Sequence, residues 1–164
     1  DLRKNINQER SVKKDYNIAL KNNLVLEKSS LKEAYEIIKQ NRKERGYPLR
    51  MTLEHLQEIE EKFLNEIICY VVKKDDEKLA SAIIFKVSKD VYQVIYWGNL
   101  ERYKNQKPMV YLANELIKTF SKENISILDI GPSSEYGKIN RGLYQFKKNI
   151  GCRSCLKFTL EYDE

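Results

Sequence analysis

The sequence contains few histidines, prolines and glycines and no long apolar run. Its 164 residues include one histidine, three prolines and six glycines. The single histidine, His55, excludes catalytic arrangements that need two histidines, and its polar surroundings, TLEHLQEIEEK, indicate a solvated or helix-capping side chain. The longest apolar runs, such as IICYVV, are far shorter than the roughly 20 residues of a membrane-spanning helix. The sequence therefore predicts no membrane span.

Cysteine is also scarce. Three cysteines, an odd number, argue against a disulfide framework and predict a reducing, cytoplasmic location. Cys69 lies in an apolar run and is predicted to belong to the core. Cys152 and Cys155 form a CxxC pair in a predicted strand, but no second pair or neighbouring histidine completes the four ligands of a structural zinc. We expect no bound metal, and a redox pair is a less favoured alternative.

The length and net charge of the chain limit the number of domains and the kind of ligand. A chain of this length suits one domain, residues 1–164, and two stable domains would be difficult to build from it. The chain begins with Asp1 and has no apolar signal segment, so we expect a piece of a longer protein. Residues 1–20 are predicted to be a basic arm or the end of a helix. The net charge of +6 suits an anionic ligand, such as a nucleotide, a cofactor phosphate or RNA.

The first half of the chain carries clear helix and strand signals. LVLEKSS predicts a short strand, and Ser30 with Glu33 three residues later has the capping-box spacing of a helix that ends at Gly46. Thr52 is predicted to cap a second helix. The runs IICYVVKK, LASAIIFKVS and VYQVIYWG then alternate with a period of two and are joined by short turns. They predict an antiparallel meander of three strands.

The second half returns to helices. ERYKNQK is predicted to be a polar loop, and Pro108 occupies the first turn of the helix that follows. ISILDIG predicts a strand in a parallel crossover with the last meander strand. PSSEYGKIN is predicted to be a loop, RGLYQFKKNI a helix closed by Gly151, and CRSCLKFTLEY a final strand. The fold class is therefore mixed α/β, with a central mixed sheet flanked by helices.

The segments ILDIGPSS, GKINRGLYQFKKNIG and LRKNI resemble the Fem family of aminoacyl transferases and the wider group of GNAT-like acyltransferases. In those proteins a strand ends in a D-x-G turn, and the next helix carries G-L-x-x-F-K-x-x-x-G. The resemblance extends over nearly all of the chain and is most specific in the final third. It implies a GNAT-like fold, and this chain would supply the second of two such domains. The matching residues are Asp129, Gly131, Gly142, Leu143, Phe146, Lys147 and Gly151.

The resemblance implies that Phe146 and Lys147 lie at the transfer centre. An ammonium there could bind a phosphate or stabilise the oxyanion formed when an amine attacks an acyl carbonyl. Arg3, with the adjacent Lys4, would be a ligand for a substrate phosphate. From the pattern alone, a core phenylalanine and a solvated lysine remain the alternative. Asp129 ends a strand where α/β sheets build their sites, and it either holds the turn or takes a proton.

Further candidates for substrate contacts follow from position. The Gly131–Pro132 turn exposes Ser133 and Ser134. Trp97 ends a meander strand and could stack on a sugar or base. Three tyrosines could donate a proton to a leaving group, and two glutamates are alternative bases. These are Tyr103, Tyr136 and Tyr144, with Glu101 and Glu135.

The sequence leaves two classes of acyl donor open. Acetyl-CoA enzymes of the GNAT type place a glycine-rich loop before the crossover helix, where backbone N–H groups approach the pyrophosphate. Here that position reads WGNLERYKNQKPMV, with one glycine, and Pro108 has no N–H. The positive charges of Lys104 and Lys107 could instead bind the phosphates of the donor. The donor is thus an acyl-CoA or an aminoacyl-tRNA, and no cofactor is permanently bound.

The resulting prediction is an acyltransferase that moves an acetyl or aminoacyl group from a thioester or aminoacyl-tRNA to an amine. The acceptor would be a small molecule or cell-envelope precursor, such as a sugar-linked amine. The alternative is a degenerate GNAT-like module that binds a nucleotide or glycan without catalysis. RNA binding through the basic amino-terminal arm would predict steep salt dependence, but the aromatic residues do not cluster as single-strand binders require.

Overall fold

Five strands form the central sheet, in the same order in space as in sequence. The first four pair antiparallel, and the fifth pairs parallel to the fourth, as the predicted crossover requires. The computed structural model describes residues 1–2, 6–135, 137–158 and 160. The strands are β1 (Val25–Lys28), β2 (Ile67–Lys74), β3 (Glu77–Ser88), β4 (Val91–Asn99) and β5 (Ile127–Asp129).

Helices cover both faces of this sheet. On one face Cys69 and Ile83 pack with α2 and α3, while Tyr70 and Ala82 belong to the larger core cluster that includes α4. The alternation follows from the period of two along a strand. The helices are α1 (Arg10–Lys21), α2 (Leu31–Arg45), α3 (Leu53–Lys62), α4 (Pro108–Lys122) and α5 (Arg141–Asn149).

The predicted helix caps of the first half are confirmed. Ser30 Oγ accepts from the Glu33 N–H at 3.2 Å, and Thr52 Oγ1 accepts from the His55 N–H at 3.3 Å. Gly46 ends α2 at a φ of 68°, the left-handed conformation that glycine adopts without strain. His55 itself is exposed on α3, and Cys69 is buried in β2. The local signals were sufficient here because each acts within one turn of helix.

The amino-terminal prediction was incomplete. The basic arm or helix end predicted over residues 1–20 contains a full helix, α1. Val12 and Ala19 of α1 are buried, and the Tyr16 ring stacks on Tyr111 of α4 with 5.9 Å between centroids. The apolar and aromatic residues of α1, such as Val12, Tyr16 and Ala19, stand among charged and polar residues, so the charged face dominates the sequence. Residues 10–21 therefore form a helix that packs against α4.

Three later predictions were also wrong. ERYKNQK is a 3₁₀ helix (Glu101–Gln106) that buries Tyr103, because this ring packs into the main core. The loop PSSEYGKIN contains a two-stranded hairpin, β6 (Ser134–Glu135) and β7 (Lys138–Ile139). The C-terminal tail, which we define as residues 152–158 and 160, contains no strand, so Cys152 and Cys155 do not lie on opposite faces of one. Within the described ranges, no helix is long and apolar enough to cross a bilayer.

Candidate active site

The site lies where β4 and β5 separate. The two strands pair over only three positions, ending with Gln93 opposite Asp129. The chain after β5 then turns away at Gly131, which has a φ of 73°, while β4 continues to Asn99. From Val94 onward, β4 therefore has no strand partner on this side in the described part of the chain. The result is a wedge beside an open strand edge.

A cavity of about 640 Å³ opens next to this wedge. Its walls come from α4, β5, the Gly131–Pro132 turn, α5, the C-terminal tail and the first residues of the chain. Most of the lining surface is apolar, and the polar groups lie around the turn, on α5 and in the C-terminal tail. The cavity brings together six predicted site residues: Trp97, Asp129, Ser133, Ser134, Tyr144 and Lys147.

Lys147 is the buried cation of the site. Its side chain is only 6% exposed, and its Nζ donates to the carbonyls of Gly131 at 2.9 Å and Pro132 at 2.8 Å. Burial lowers the pKa of Lys147, despite the opposing influence of Cys152 and Asp129. A lysine ammonium has three N–H donors, so one remains beyond these two bonds to described residues. Lys147 therefore fixes the turn and, within the described part of the chain, keeps a third donor next to the cavity.

Asp129 holds the other side of the same turn. Its Oδ1 accepts from the Gly131 N–H at 2.8 Å, and its Oδ2 accepts from Gln93 Nε2 at 3.2 Å and Lys157 Nζ at 2.5 Å. Burial raises the pKa of Asp129, but the bonds from Lys157 and Gly131 outweigh it, and the net effect is a lowered pKa. An ionised carboxylate with these partners is a weak base and a strong structural anchor.

Phe146 packs behind the cavity and does not line it. Its ring meets Trp97 edge to face, with 6.0 Å between centroids and 64° between planes. Both rings pack against the small core cluster that contains Val12, Val110, Ala113 and Ile150. Phe146 thus supports the Trp97 ring that forms part of the wall.

The remaining polar wall comes from the loop and α5. The Ser133 carbonyl accepts from the Asn140 N–H at 2.8 Å, which closes the loop that carries Ser134. Asn140 caps α5 by accepting from the Leu143 N–H at 3.0 Å. A hydrogen bond with Ser154 and the charge of Lys148 lower the pKa of Tyr144. Tyr144 is therefore a better proton donor than an ordinary tyrosine.

Several predicted residues lie elsewhere. Tyr103 is buried in the core, and its hydroxyl donates to Glu77 Oε1 at 2.6 Å. Lys104 pairs with Glu101 at 2.9 Å and Lys107 with Asp15 at 3.3 Å. These residues do not line the cavity. Arg3 lies outside the described residues, together with Lys4, Tyr136 and the side chain of Glu135.

Sequence reasoning missed the contribution of the amino-terminal residues. Leu2 and Ile6 line the cavity, and the Leu2 N–H donates to the Ser126 carbonyl at 2.7 Å. A Cβ on Gly151 would come within 2.3 Å of Ile6 Cγ2, so the two segments are in close contact. The apolar residues among the charges were the available signal. Lys157 was missed because its partner, Asp129, is 28 residues away in sequence.

No protein-family model and no curated protein matches the sequence. Solved structures do match. FemX has a TM-score of 0.71 at 14% identity over 88% of this chain, and the chain spans 54% of the FemX structure. A possible acetyltransferase from Clostridium difficile 630 has a TM-score of 0.61 at 16% identity, covering 86% of this chain and 97% of that one.

A third similar structure is AAC(6')-Iy in complex with the bisubstrate analog CoA-S-monomethyl-acetylneamine. It has a TM-score of 0.62 at 12% identity, covering 86% of this chain and 98% of that one. At these identities the likeness concerns the fold. The chain has the GNAT-like N-acyltransferase fold, with a similarity to the Fem type, as the sequence predicted.

Proposed function

We propose that this chain is an acyltransferase domain that moves an acyl group from a thioester or aminoacyl ester donor to an amine. Two lines of support converge on this activity. The fold is that of N-acyltransferases, and four of the seven residues that resemble the Fem signature line one cavity beside the β4–β5 wedge: Asp129, Gly131, Lys147 and Gly151. The observation that carries the proposal is the buried Lys147 ammonium, which makes two hydrogen bonds to the Gly131–Pro132 turn and has a third donor that no described residue accepts.

The reaction needs a positive group where negative charge develops. The acceptor nitrogen attacks the acyl carbon, a C–N bond forms, and the carbonyl oxygen becomes an oxyanion. The third N–H of Lys147 would donate to that oxyanion. A donor fixed in advance in a water-poor site stabilises the transition state more than the same group in water. When the intermediate collapses, the carbon–sulfur or carbon–oxygen bond breaks and the leaving group takes the electron pair.

The reaction also requires two proton transfers, one to the leaving group and one from the attacking nitrogen. Tyr144, with its lowered pKa, would give a proton to the leaving thiolate or alkoxide. The attacking nitrogen would lose its proton to water at the cavity mouth, because the lowered pKa of Asp129 makes that carboxylate a poor base. Asp129 would act by keeping the turn and Lys147 in place. Trp97, Ser133 and Ser134 would contact the acceptor.

The open edge of β4 suits an extended donor. Unpaired strand edges bind extended chains through backbone hydrogen bonds, and the amide-containing arm of an acyl-CoA is such a chain. AAC(6')-Iy is a similar structure bound to a CoA conjugate, which supports an acyl-CoA donor. Lys104 and Lys107 would contact its phosphates after leaving their carboxylate partners. An aminoacyl-tRNA is the other proposed donor, with a sugar-linked or cell-envelope amine as acceptor.

The test compares two cations of α5, Lys147 and Arg141. Lys147→Ala should lower the rate of acyl transfer by roughly 100- to 1000-fold, the effect of removing one oxyanion donor. Arg141→Ala, at an exposed position on the same helix, should stay within about twofold. Transfer is measured with acetyl-CoA and with aminoacyl-tRNA against a panel of amines. Equal rates in the two variants would remove Lys147 from the transfer centre.

The pairing of Lys104 and Lys107 with carboxylates favours a second candidate, a non-catalytic binding module. With both lysines paired to carboxylates, neither is free to bind donor phosphates. This candidate predicts that a nucleotide or glycan raises the melting temperature while neither donor is consumed. A melting-temperature rise with acyl-CoA, accompanied by turnover, would exclude it.

A further inference from the structure

Arg42, in the last turn of α2, is a half-buried cation. Its Nη1 donates to Asn41 Oδ1 at 3.3 Å, and its Cζ lies 6.0 Å from the centroid of the Tyr96 ring. Among the described residues, no carboxylate forms an ion pair with Arg42. A guanidinium has five N–H donors, and removing its charge from water without a counter-ion is unfavourable. Arg42 therefore has both charge and donors available for an anion.

The Tyr96 hydroxyl is a second available donor. Its oxygen accepts from the Met51 N–H at 3.2 Å, and its own O–H has no acceptor within the described ranges of the chain. The Tyr35 hydroxyl donates to the Met51 carbonyl at 3.1 Å. These two bonds attach the α2–α3 connection, residues 46–52, to the two tyrosines and hold the Tyr96 hydroxyl in place.

A bulge in β4 determines which way Tyr96 faces. Ile83 and Ile84 are neighbours in β3, but their partners in β4, Tyr96 and Val94, are two residues apart, so β4 has one extra residue here. Tyr96 packs with the cluster of α2 and α3, whereas Trp97 packs with the clusters of α4 and α5. The two rings therefore lie on opposite faces of the part of β4 that borders the wedge.

The same part of β4 borders the turn that Lys147 holds. A Cβ on Gly131 would lie 4.0 Å from the Val94 carbonyl oxygen, and Lys147 Nζ binds the Gly131 carbonyl. Val94 and Tyr96 are at most about 7 Å apart along an extended strand. A small molecule in the wedge can therefore reach the Lys147 side with one end and Arg42 with the other.

The chemistry of Arg42 and Tyr96 suits an oxyanion. A guanidinium binds a carboxylate or phosphate through two parallel N–H···O bonds, and a phenol O–H can donate to a remaining lone pair. We infer that Arg42 and Tyr96 bind a carboxylate or phosphate group of the acceptor, whose amine lies in the wedge. The position of the amine rests on the proposed function, whereas the binding of the anion does not. The acceptors would then be amines that carry an anionic group, and neutral amines would be poor acceptors.

Calorimetric titration without an acyl donor tests this site. The probes are two matched pairs of amines: glucosamine 6-phosphate with glucosamine, and alanine with alaninamide. Each pair keeps its amine, and only the first member carries the anionic group. The wild type should bind the anionic member of one pair roughly 10- to 100-fold more tightly than the neutral member. The pair that shows this preference distinguishes a phosphate from a carboxylate.

Three variants assign the preference to the two residues. Arg42→Gln should weaken binding of the preferred anionic probe by roughly 10- to 100-fold, and Tyr96→Phe by about threefold to tenfold. Lys43→Gln is the matched control, because it removes the same charge at the next, exposed position of α2 and should stay within about twofold. If neither anionic probe binds the wild type, or if Arg42→Gln binds as tightly as the wild type, the proposal is overturned.

Two further measurements exclude other roles of Arg42. Arg42→Gln should melt within about 3 °C of the wild type, because it removes a half-buried charge that lacks a counter-ion. It should also leave the affinity for coenzyme A unchanged. A larger fall in melting temperature would assign Arg42 a structural role, and a loss of coenzyme A binding would assign it to the donor; either result would overturn the proposal.

The outcomes separate this inference from the proposed function. All of these titrations are made without turnover, so a protein that binds the anionic probe through Arg42 but transfers no acyl group would refute only the proposed function. Transfer to neutral and anionic amines at equal rates, in the wild type and in Arg42→Gln, would refute only the anion site.

Discussion

Asn41 of α2 lies directly against Gly98 of β4. A Cβ on Gly98 would come within 2.5 Å of Asn41 Oδ1. Asn41 cannot move aside easily, because it is 2% exposed and its Nδ2 donates to the Asn99 carbonyl at 2.6 Å. This contact sets the distance between α2 and the part of β4 that borders the wedge.

We expect Gly98→Ala to destabilise the protein by about 2 kcal/mol, because the new methyl group must displace a buried, hydrogen-bonded amide. The free energy of unfolding in urea measures the effect.

Gly142→Ala is the control for that substitution. Its Cβ would make an ordinary contact of 3.7 Å with Asn140 Oδ1, in the first turn of α5. Alanine favours helix over glycine, so this variant should gain up to about 1 kcal/mol. Equal stabilities for the two variants would contradict the close contact at Gly98.

The Asp129 anchor predicts a pH dependence. A carboxylate with a lowered folded-state pKa contributes stability above its usual pKa of 3.8, and the contribution is lost as the pH falls through the folded-state pKa. Asp129→Asn should therefore cost up to about 1 kcal/mol at about pH 6 and less at about pH 2.5. Urea unfolding at both values measures this difference.

The control for the pH series is Asp76→Asn, an exposed carboxylate in the β2–β3 turn, which should change stability little at either pH. If Asp129→Asn lowers the free energy of unfolding equally at both pH values, the size and hydrogen bonding of the side chain matter at this position and its charge does not.

The three cysteines should differ in reactivity. Burial raises the pKa of Cys69 to about 12 and that of Cys152 to about 11, whereas Cys155 is exposed. At about pH 8 only about one Cys152 thiol in a thousand would be ionised, and the thiolate is the reacting form.

Iodoacetamide should therefore label Cys155 first and Cys152 much more slowly, as measured by mass spectrometry of the labelled peptides over time. A denatured sample, in which all three react at similar rates, is the control. Fast labelling of Cys152 in the folded protein would contradict the raised pKa of its thiol.

The predictable parts of the fold depend on short-range signals. Ser30, Thr52 and Gly46 define helix ends through bonds within one turn, and the period of two revealed the meander. The D-x-G turn and the Phe146–Lys147 pair were visible as a motif. The sequence therefore indicated the GNAT-like fold and six residues of one cavity.

The remaining parts depend on distant partners. Whether Tyr103 contacts a substrate or the core depends on Glu77, and whether Lys104 and Lys107 are free depends on Glu101 and Asp15. A sequence pattern does not reveal such pairs. Similarly, the full length of α1 depends on its packing against α4, where the Tyr16 ring stacks on Tyr111.

The close contact between Ile6 and Gly151 has a consequence for the order of assembly during translation. Residues 6–9 are synthesised long before their partners at Asn149, Ile150 and Gly151; Gln8 and Ile150, for example, are 142 positions apart. Residues 6–9 must therefore remain without these contacts until α5 has been synthesised. Loop closure over such a separation is slow, so the docking of α5 onto the amino-terminal segment should complete the folded state.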